Sequence, residues 1–473
     1  MPQYKIGNFV VSPTDDGFQP LLARLYPDHF RPLCMCREPG LEMYIARIGE
    51  HYIVKRMPDS GVEHAADCDS YETPSELSGL GEVLGSAIQN NEKDGTTTLK
   101  FDFSLAKASG NSITPGPKSE SSSVRTDGRR LTARGTLHYL YEEAKLNRWF
   151  PGMAGKRNWY VIYKHLLIAA DGKESKGKPL GDMLYVPEPF SVDRKDEITM
   201  RRLAQITKIV AAPTGPRELM LLIAEAKEIS EGRFGYKLIA KHLPDFPFLM
   251  DDELHRKMMK RFSLEMSMFR AIENSHLLVI CTFGLGYNGV ANLEEIAPMV
   301  TTENWIPIES MYEKDLIDML TEKGRAFQKV LRYNLASDVP VASLILLDTK
   351  PNSTVMYVVP QDRIEDEVYS KKLEELIMGS SLDAWTWVVG KDMPEIPPKG
   401  YALSTPSSPA RVVETAASKT VNQKPPASVE KPVLPATEPL AVEPVNGEIL
   451  DIPATPMAEL PDAQGTDLEN LPE

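Results

Sequence analysis

Cysteine is scarce in this chain, with four in 473 residues, too few for a disulfide framework. Apolar stretches are short as well. No run reaches the roughly 18 residues that cross a bilayer, and the start, MPQYKIGNFVVSPTDD, has neither a basic n-region nor a continuous apolar one. The expectation is a cytoplasmic chain without membrane contact, whose thiols stay reduced. Also missing are a Ser-His-Asp arrangement, a nucleophile elbow and a G-x-x-x-x-G-K phosphate loop. Nothing in the motifs makes the chain an obvious enzyme.

Net positive charge is absent too, since the formal charge is −14. Its distribution is uneven. Residues 401–473 carry 4 basic and 11 acidic side chains, a net of −7, which leaves −7 for residues 1–400. Residues 131–180 hold 9 Lys or Arg against 4 Asp or Glu, a net of +5. A local basic stretch inside an acidic protein is the footprint expected of a phosphate-binding module.

Composition divides the chain into an α+β multidomain protein. Residues 1–103 form a first module in which MYIARI (43–48) and HYIVKRM (51–57) read as strands joined at Gly49-Glu50. Residues 104–130 are Ser-, Gly- and Pro-rich, a flexible linker that cannot bury enough surface to offset its ordering entropy. Residues 131–215 give two helical patterns, a basic turn and an extended run, the outline of a winged-helix-like unit. Residues 216–300 are a mixed α/β segment. Residues 301–395 read as αβββαβ, with a helix opened by Ser310 and Glu313 as a capping box. Residues 396–473 repeat Pro-acid-Pro phrases and read as a disordered acidic tail, in which EILDIPATPMAEL offers a protein partner some apolar surface.

What cysteine there is lies together. Cys34, Cys36, His64 and Cys68 fall within 35 residues at the two ends of the hairpin, a sufficient Cys3His set for structural zinc. Four protein ligands would leave no open position for water, which favours a staple over hydrolysis. The same residues also suit a buried thiol cluster without metal, or redox chemistry. The stretch from CMCREPG to HAADCDSYE, with RYNL (332–335) and LLDT (346–349), resembles a bacterial domain family of unknown function, the one numbered 1173. The resemblance spans roughly residues 30–390 and implies a plasmid or mobile-element setting, without an activity.

Three further patterns bear on function. GLGYNG (284–289) matches the dinucleotide fingerprint, which requires a following helix; a glycine-rich turn is the competing reading. Glu225 and Lys227 form an E-x-K on a strand, and Asp348 ends a strand in the αβββαβ segment, an order that resembles a restriction-endonuclease core. Its third strand, TVMYVVP, offers neither acid nor lysine, so a degenerate core is expected, with a metal-dependent nuclease as a weaker alternative. Lys156, Arg157, Trp159 and Lys164 share one helical pattern and are the expected nucleic-acid contacts. His138, His165, His242, His255 and His276 lack any ligand at metal-site spacing. The resulting expectation is a DNA-associated protein without clear catalysis, with a protein adaptor as the alternative.

Overall fold

A computed structural model describes residues 2–400, apart from 49–50, 58–59, 67, 92–94, 108–128, 210–216, 234, 287–288 and 351. The Gly49-Glu50 turn, most of the linker and the tail beyond residue 400 lie outside the described residues. The remainder is a mixed α+β structure with several sheets.

The longest strands carry near-continuous Leu, Ile, Val and Ala, the pattern of strands covered on both faces. Met220–Glu231 is buried throughout its first seven residues. That half pairs antiparallel with His276–Leu285, from Met220↔Phe283 to Ala226↔Leu277. A bulge at Ala226/Glu228 turns the strand, and its second half pairs antiparallel with Tyr236–Ala240. Tyr236–Ala240 pairs with Phe248–Met250, which runs parallel to Ala291–Thr301, which returns antiparallel to His276–Leu285. The five strands therefore close on themselves. Counted along the chain, their order around the barrel is 1-2-3-5-4 and back to 1.

Helices Asp252–Arg261 and Ser263–Ala271 lie between the third and fourth strands and bury Met258, Phe262, Met266 and Met268. The amphipathic run DELHRKMMKRFSLEMSMFRAIE has one continuous helical pattern in sequence, but the backbone breaks it at Phe262 into two helices. A bent, bulged first strand, a parallel third–fifth pairing and two helices between strands three and four complete the barrel.

A second, five-stranded sheet has the order Asp383–Val388, Thr354–Val359, Leu344–Leu346, Phe327–Lys329, Arg148–Trp149. Its first pair is parallel and the rest are antiparallel. The N-terminal sheet is antiparallel, with Leu41–Ile48 against His51–Arg56 in the register Met43↔Arg56 to Ile48↔His51. The apolar side chains of that sheet share a core with Val330, Ile345, Val355, Tyr357 and Leu373 of the five-stranded sheet and its helix.

The strands cross the boundaries drawn from composition. Residues 131–215 form no separate winged unit: Arg148–Trp149 pairs with Phe327–Lys329, Lys173–Ser175 with Thr97–Leu99, and Leu184–Tyr185 with the barrel's first strand. Strands of two or three residues cannot bury a face alone, so they complete sheets begun elsewhere. At the linker's edge, Ala106–Lys107 pairs with Arg217–Glu218. At the tail's start, Lys399 Nζ donates to Gly324 O and Gly400 N to Asp348 O, so residues 396–400 are not free tail.

The RYNL phrase joins these layers. Arg332 donates to Glu309 Oε2 at 2.8 Å and to the carbonyls of Ala336 and Val339. Tyr333 (φ +49°) donates its hydroxyl to Glu142 Oε2 at 2.6 Å, and its N–H goes to His138 Nδ1. Asn334 Oδ1 accepts from Thr132 N and Oγ1 at the start of helix Ala133–Glu143. Gly135 is obligatory there, because a Cβ would stand 2.3 Å from Asn334 Oδ1.

Candidate metal centre

Cys34 lies in the short strand Leu33–Cys34, held between Tyr4 and Leu41 of its neighbours. Cys36 follows in the turn, while His64 and Cys68 stand after the 3-10 turn Gly61–Glu63. The two halves meet across the sheet. Cys34 Sγ is 3.6 Å from Cys68 Sγ, and His64 Nδ1 is 3.3 Å from Cys36 Sγ and 3.7 Å from Cys68 Sγ. All four donor atoms lie within 4.8 Å of one another, a set that can hold one metal ion.

The local electrostatics favour one thiolate, on Cys68, while burial raises Cys36. Backbone N–H groups of Ala65 and Ser70 point at Cys36 and Cys68 Sγ, at 3.5 and 3.4 Å. The hydrogen bond from the Cys34 thiol, with help from His64 and Ser70, pushes Cys68 down to about 3 against the effect of burial, while the same bond and burial push Cys34 up. His64 is fully buried, and its Nε2 has no hydrogen-bond partner. An imidazole buried with Nδ1 facing only sulfur fits the nitrogen position of a Cys3His site.

The other predicted residues do not assemble into a nuclease. Glu225 lies mid-barrel and Asp348 follows a strand of the other sheet, where Arg325 grips it through two nitrogens at 2.8–3.1 Å and Ala326 N adds a third donor. Lys227 is exposed. GLGYNG joins two antiparallel strands, with Gly286 N donating to Val290 O and Gly289 at φ +74°. The helix a pyrophosphate site needs is instead the strand Ala291–Thr301.

The expected nucleic-acid contacts divide. Lys156 and Lys164 are exposed. Arg157 donates to the carbonyls of Leu146, Arg148 and Asn304, and Trp159 is buried, stacked on His242 at 5.1 Å with its Nε1–H on Pro187 O. Much of the local basic surplus is spent internally: Arg134 on the Tyr333 and Leu335 carbonyls, Arg148 on Tyr71 O, Lys173 on Glu143.

One cluster was not visible in the sequence. Glu225, buried at the barrel's bulge, accepts from His276 Nδ1 and Lys241 Nζ, both at 2.7 Å, with His242 Nε2 at 3.7 Å. Trp305 (φ +61°) stacks on His276 at 3.7 Å, and Trp159 on His242. His242 Nδ1 accepts the Phe190 N–H, which leaves its proton on Nε2 and no lone pair there for a metal. The cluster thus ties together the chain around residues 159, 190, 225, 242, 276 and 305 rather than forming a second metal site.

Burial alone would raise the Glu225 pKa, but the neighbouring His242 and the hydrogen bonds from His276 and Lys241 outweigh it and hold the carboxyl far below the usual range. A lowered folded pKa contributes stability above the unfolded value near 4.5 and loses it as pH falls below that. Glu225→Gln is expected to cost about 1–3 kcal/mol at pH 7, with the difference shrinking as the pH approaches 3. Denaturant midpoints measured across that range check it; a pH-independent difference would contradict the assignment.

The fold and site define a class: a mixed α+β protein with a closed five-stranded barrel and a cluster of cysteine and histidine that can hold a metal ion. The chain belongs to the family described as Protein of unknown function (DUF1173), whose model matches residues 4–390. No curated protein and no solved structure matches it.

Proposed function

We propose that the chain is a zinc-stapled nucleic-acid-binding protein that holds single strands against its barrel. The carrying observation is the barrel's closed 1-2-3-5-4 connectivity, which resembles that of the oligonucleotide- and oligosaccharide-binding fold, whose strands two and three present a face to extended polymers. Here the outward side of those strands offers the half-buried Lys237, Ile239 and Leu249, with Lys237 opposite Leu249, and exposed Arg233 lies in the loop before it. Basic and apolar groups on one surface suit a phosphate track and the faces of bases.

The contact surface thus moves from the helix Trp159–Ala170, whose Arg157 and Trp159 are internal, to the barrel. The Cys3His centre, with all four positions filled by protein, supports a structural zinc ion without hydrolytic chemistry. A reducing cytoplasm would keep its thiols available, and the plasmid or mobile-element setting belongs to the same proposal. Lys156 and Lys164 are auxiliary contacts at most.

Fluorescence anisotropy with a labelled oligothymidylate of about a dozen nucleotides and with a duplex of equal length tests the reading. Single strands are expected to bind more tightly. Lys237→Ala should flatten the log–log salt slope by about 0.7, the increment of one single-strand phosphate contact. Equal affinity for duplex would overturn the single-strand reading, and no binding at low salt would favour the alternative of a protein adaptor.

A further inference from the structure

The sulfur side of the cluster borders a cleft, with Cys36 half-buried and Cys34 and Cys68 buried in its wall. Cys34, Cys36 and Cys68 line a cleft of about 280 Å³ together with Pro2, Gln3, Met35 and Asp69. A water molecule occupies about 30 Å³ of liquid, so a small peroxide has ample room beside the sulfurs. His64 lies behind them, fully buried. A site meant only to hold an ion would be better served by a closed wall.

We propose that this centre is also an oxidation site, at which a peroxide joins Cys34 to Cys68 and expels the metal. The inference rests on the zinc reading above. One thiolate sulfur attacks a peroxide oxygen; the O–O bond breaks, leaving a sulfenic acid and one hydroxide. The second thiolate attacks that sulfur, the S–S bond forms and a second hydroxide leaves. Two sulfurs have then lost two electrons in total, and the peroxide has gained them.

Geometry selects the pair. Cys34 and Cys68 Sγ are 3.6 Å apart, so little movement brings them to bonding distance. Cys36 is one residue from Cys34, and a link between them would close a small, strained ring. Cys36 also faces His64 Nδ1 and the Ala65 N–H. Once Cys34 and Cys68 are joined, only Cys36 and His64 remain as ligands, half of the tetrahedral set. The ion is lost, and the connection between strand Leu33–Cys34 and the 61–68 segment becomes covalent.

The test uses full-length, zinc-loaded protein and hydrogen peroxide. Metal content is measured first. Below about a tenth of an equivalent, the zinc reading falls and this inference with it. With about one equivalent bound, peroxide is expected to release it to a chromogenic chelator, together with a Cys34–Cys68 peptide in non-reducing maps. A dithiol and added zinc should restore the starting state. Zinc that stays bound under about a hundredfold peroxide excess overturns the proposal while leaving the staple intact. So does release accompanied by sulfinic acid in place of the link. Cys281→Ser, which alters the buried cysteine of the barrel, should behave as the unaltered chain does.

Discussion

Cys68→Ser, or prolonged dialysis against a strong chelator, is expected to reduce bound zinc from about one equivalent to under a tenth and to release the N-terminal sheet. Structural zinc sites of this kind contribute on the order of 10 kcal/mol of apparent binding free energy. Here the energy acts where little else does. The strand bearing Cys34 is two residues long, and the segment bearing His64 and Cys68 follows a single 3-10 turn. Neither has the apolar area to fix itself. The rest of the sheet shares a core with the five-stranded sheet, so partial and not global unfolding follows. Limited proteolysis should cut first within residues 30–70, and elemental analysis should track the loss. A variant that keeps a full equivalent of zinc, or loses it with no change in cleavage, would contradict the assignment.

Lys329→Ala should cost about 3–5 kcal/mol, the penalty for leaving a buried charge without its partner. Lys329 is fully buried in the strand Phe327–Lys329, 3.2 Å from Glu313 Oε1 and 2.9 Å from the Val330 carbonyl. Glu313 is itself buried, and its other oxygen accepts the Glu309 N–H at the start of helix Met311–Glu322. Burial raises the Glu313 pKa even with the lysine present. Removing the cation therefore forces the carboxyl to take up a proton or leave. The paired variant Lys329→Met with Glu313→Gln should recover much of the loss, because it buries no unpaired charge. Denaturant titrations of the single and double variants decide the point: equal destabilisation in both would mean that packing, not charge, is what Lys329 provides.

Some of this was readable beforehand for a physical reason. The cysteine and histidine spacing speaks for itself because ligand chemistry needs particular atoms within a short span, and Cys34 to Cys68 supplies them. The strands and helices of residues 216–300 follow from apolar periodicity. Barrel closure does not, because it hangs on two residue pairs, Phe248↔Ala291 and Leu249↔Asn292, joining strands far apart in sequence. The Glu225 cluster was hidden for a similar reason. Its histidines have no local partner, and they meet the carboxylate only after the barrel brings residues 225, 242 and 276 together. Charge counting failed differently. The surplus at 131–180 is real, but a formula cannot show that Arg134, Arg148 and Arg157 are consumed by backbone carbonyls.

The short strand Arg148–Trp149 completes a sheet whose other members begin at residue 327, and Thr97–Leu99, paired locally with Ile88–Asn90, gains its second neighbour at residue 173. Such pairings close loops of tens to nearly two hundred residues, and high contact order of this kind slows folding. On the ribosome, the five-stranded sheet cannot be finished until most of the chain has emerged. Early segments must wait with apolar edges uncovered, the state in which aggregation competes with folding, and fragments cut at the compositional boundaries are poor candidates for expression.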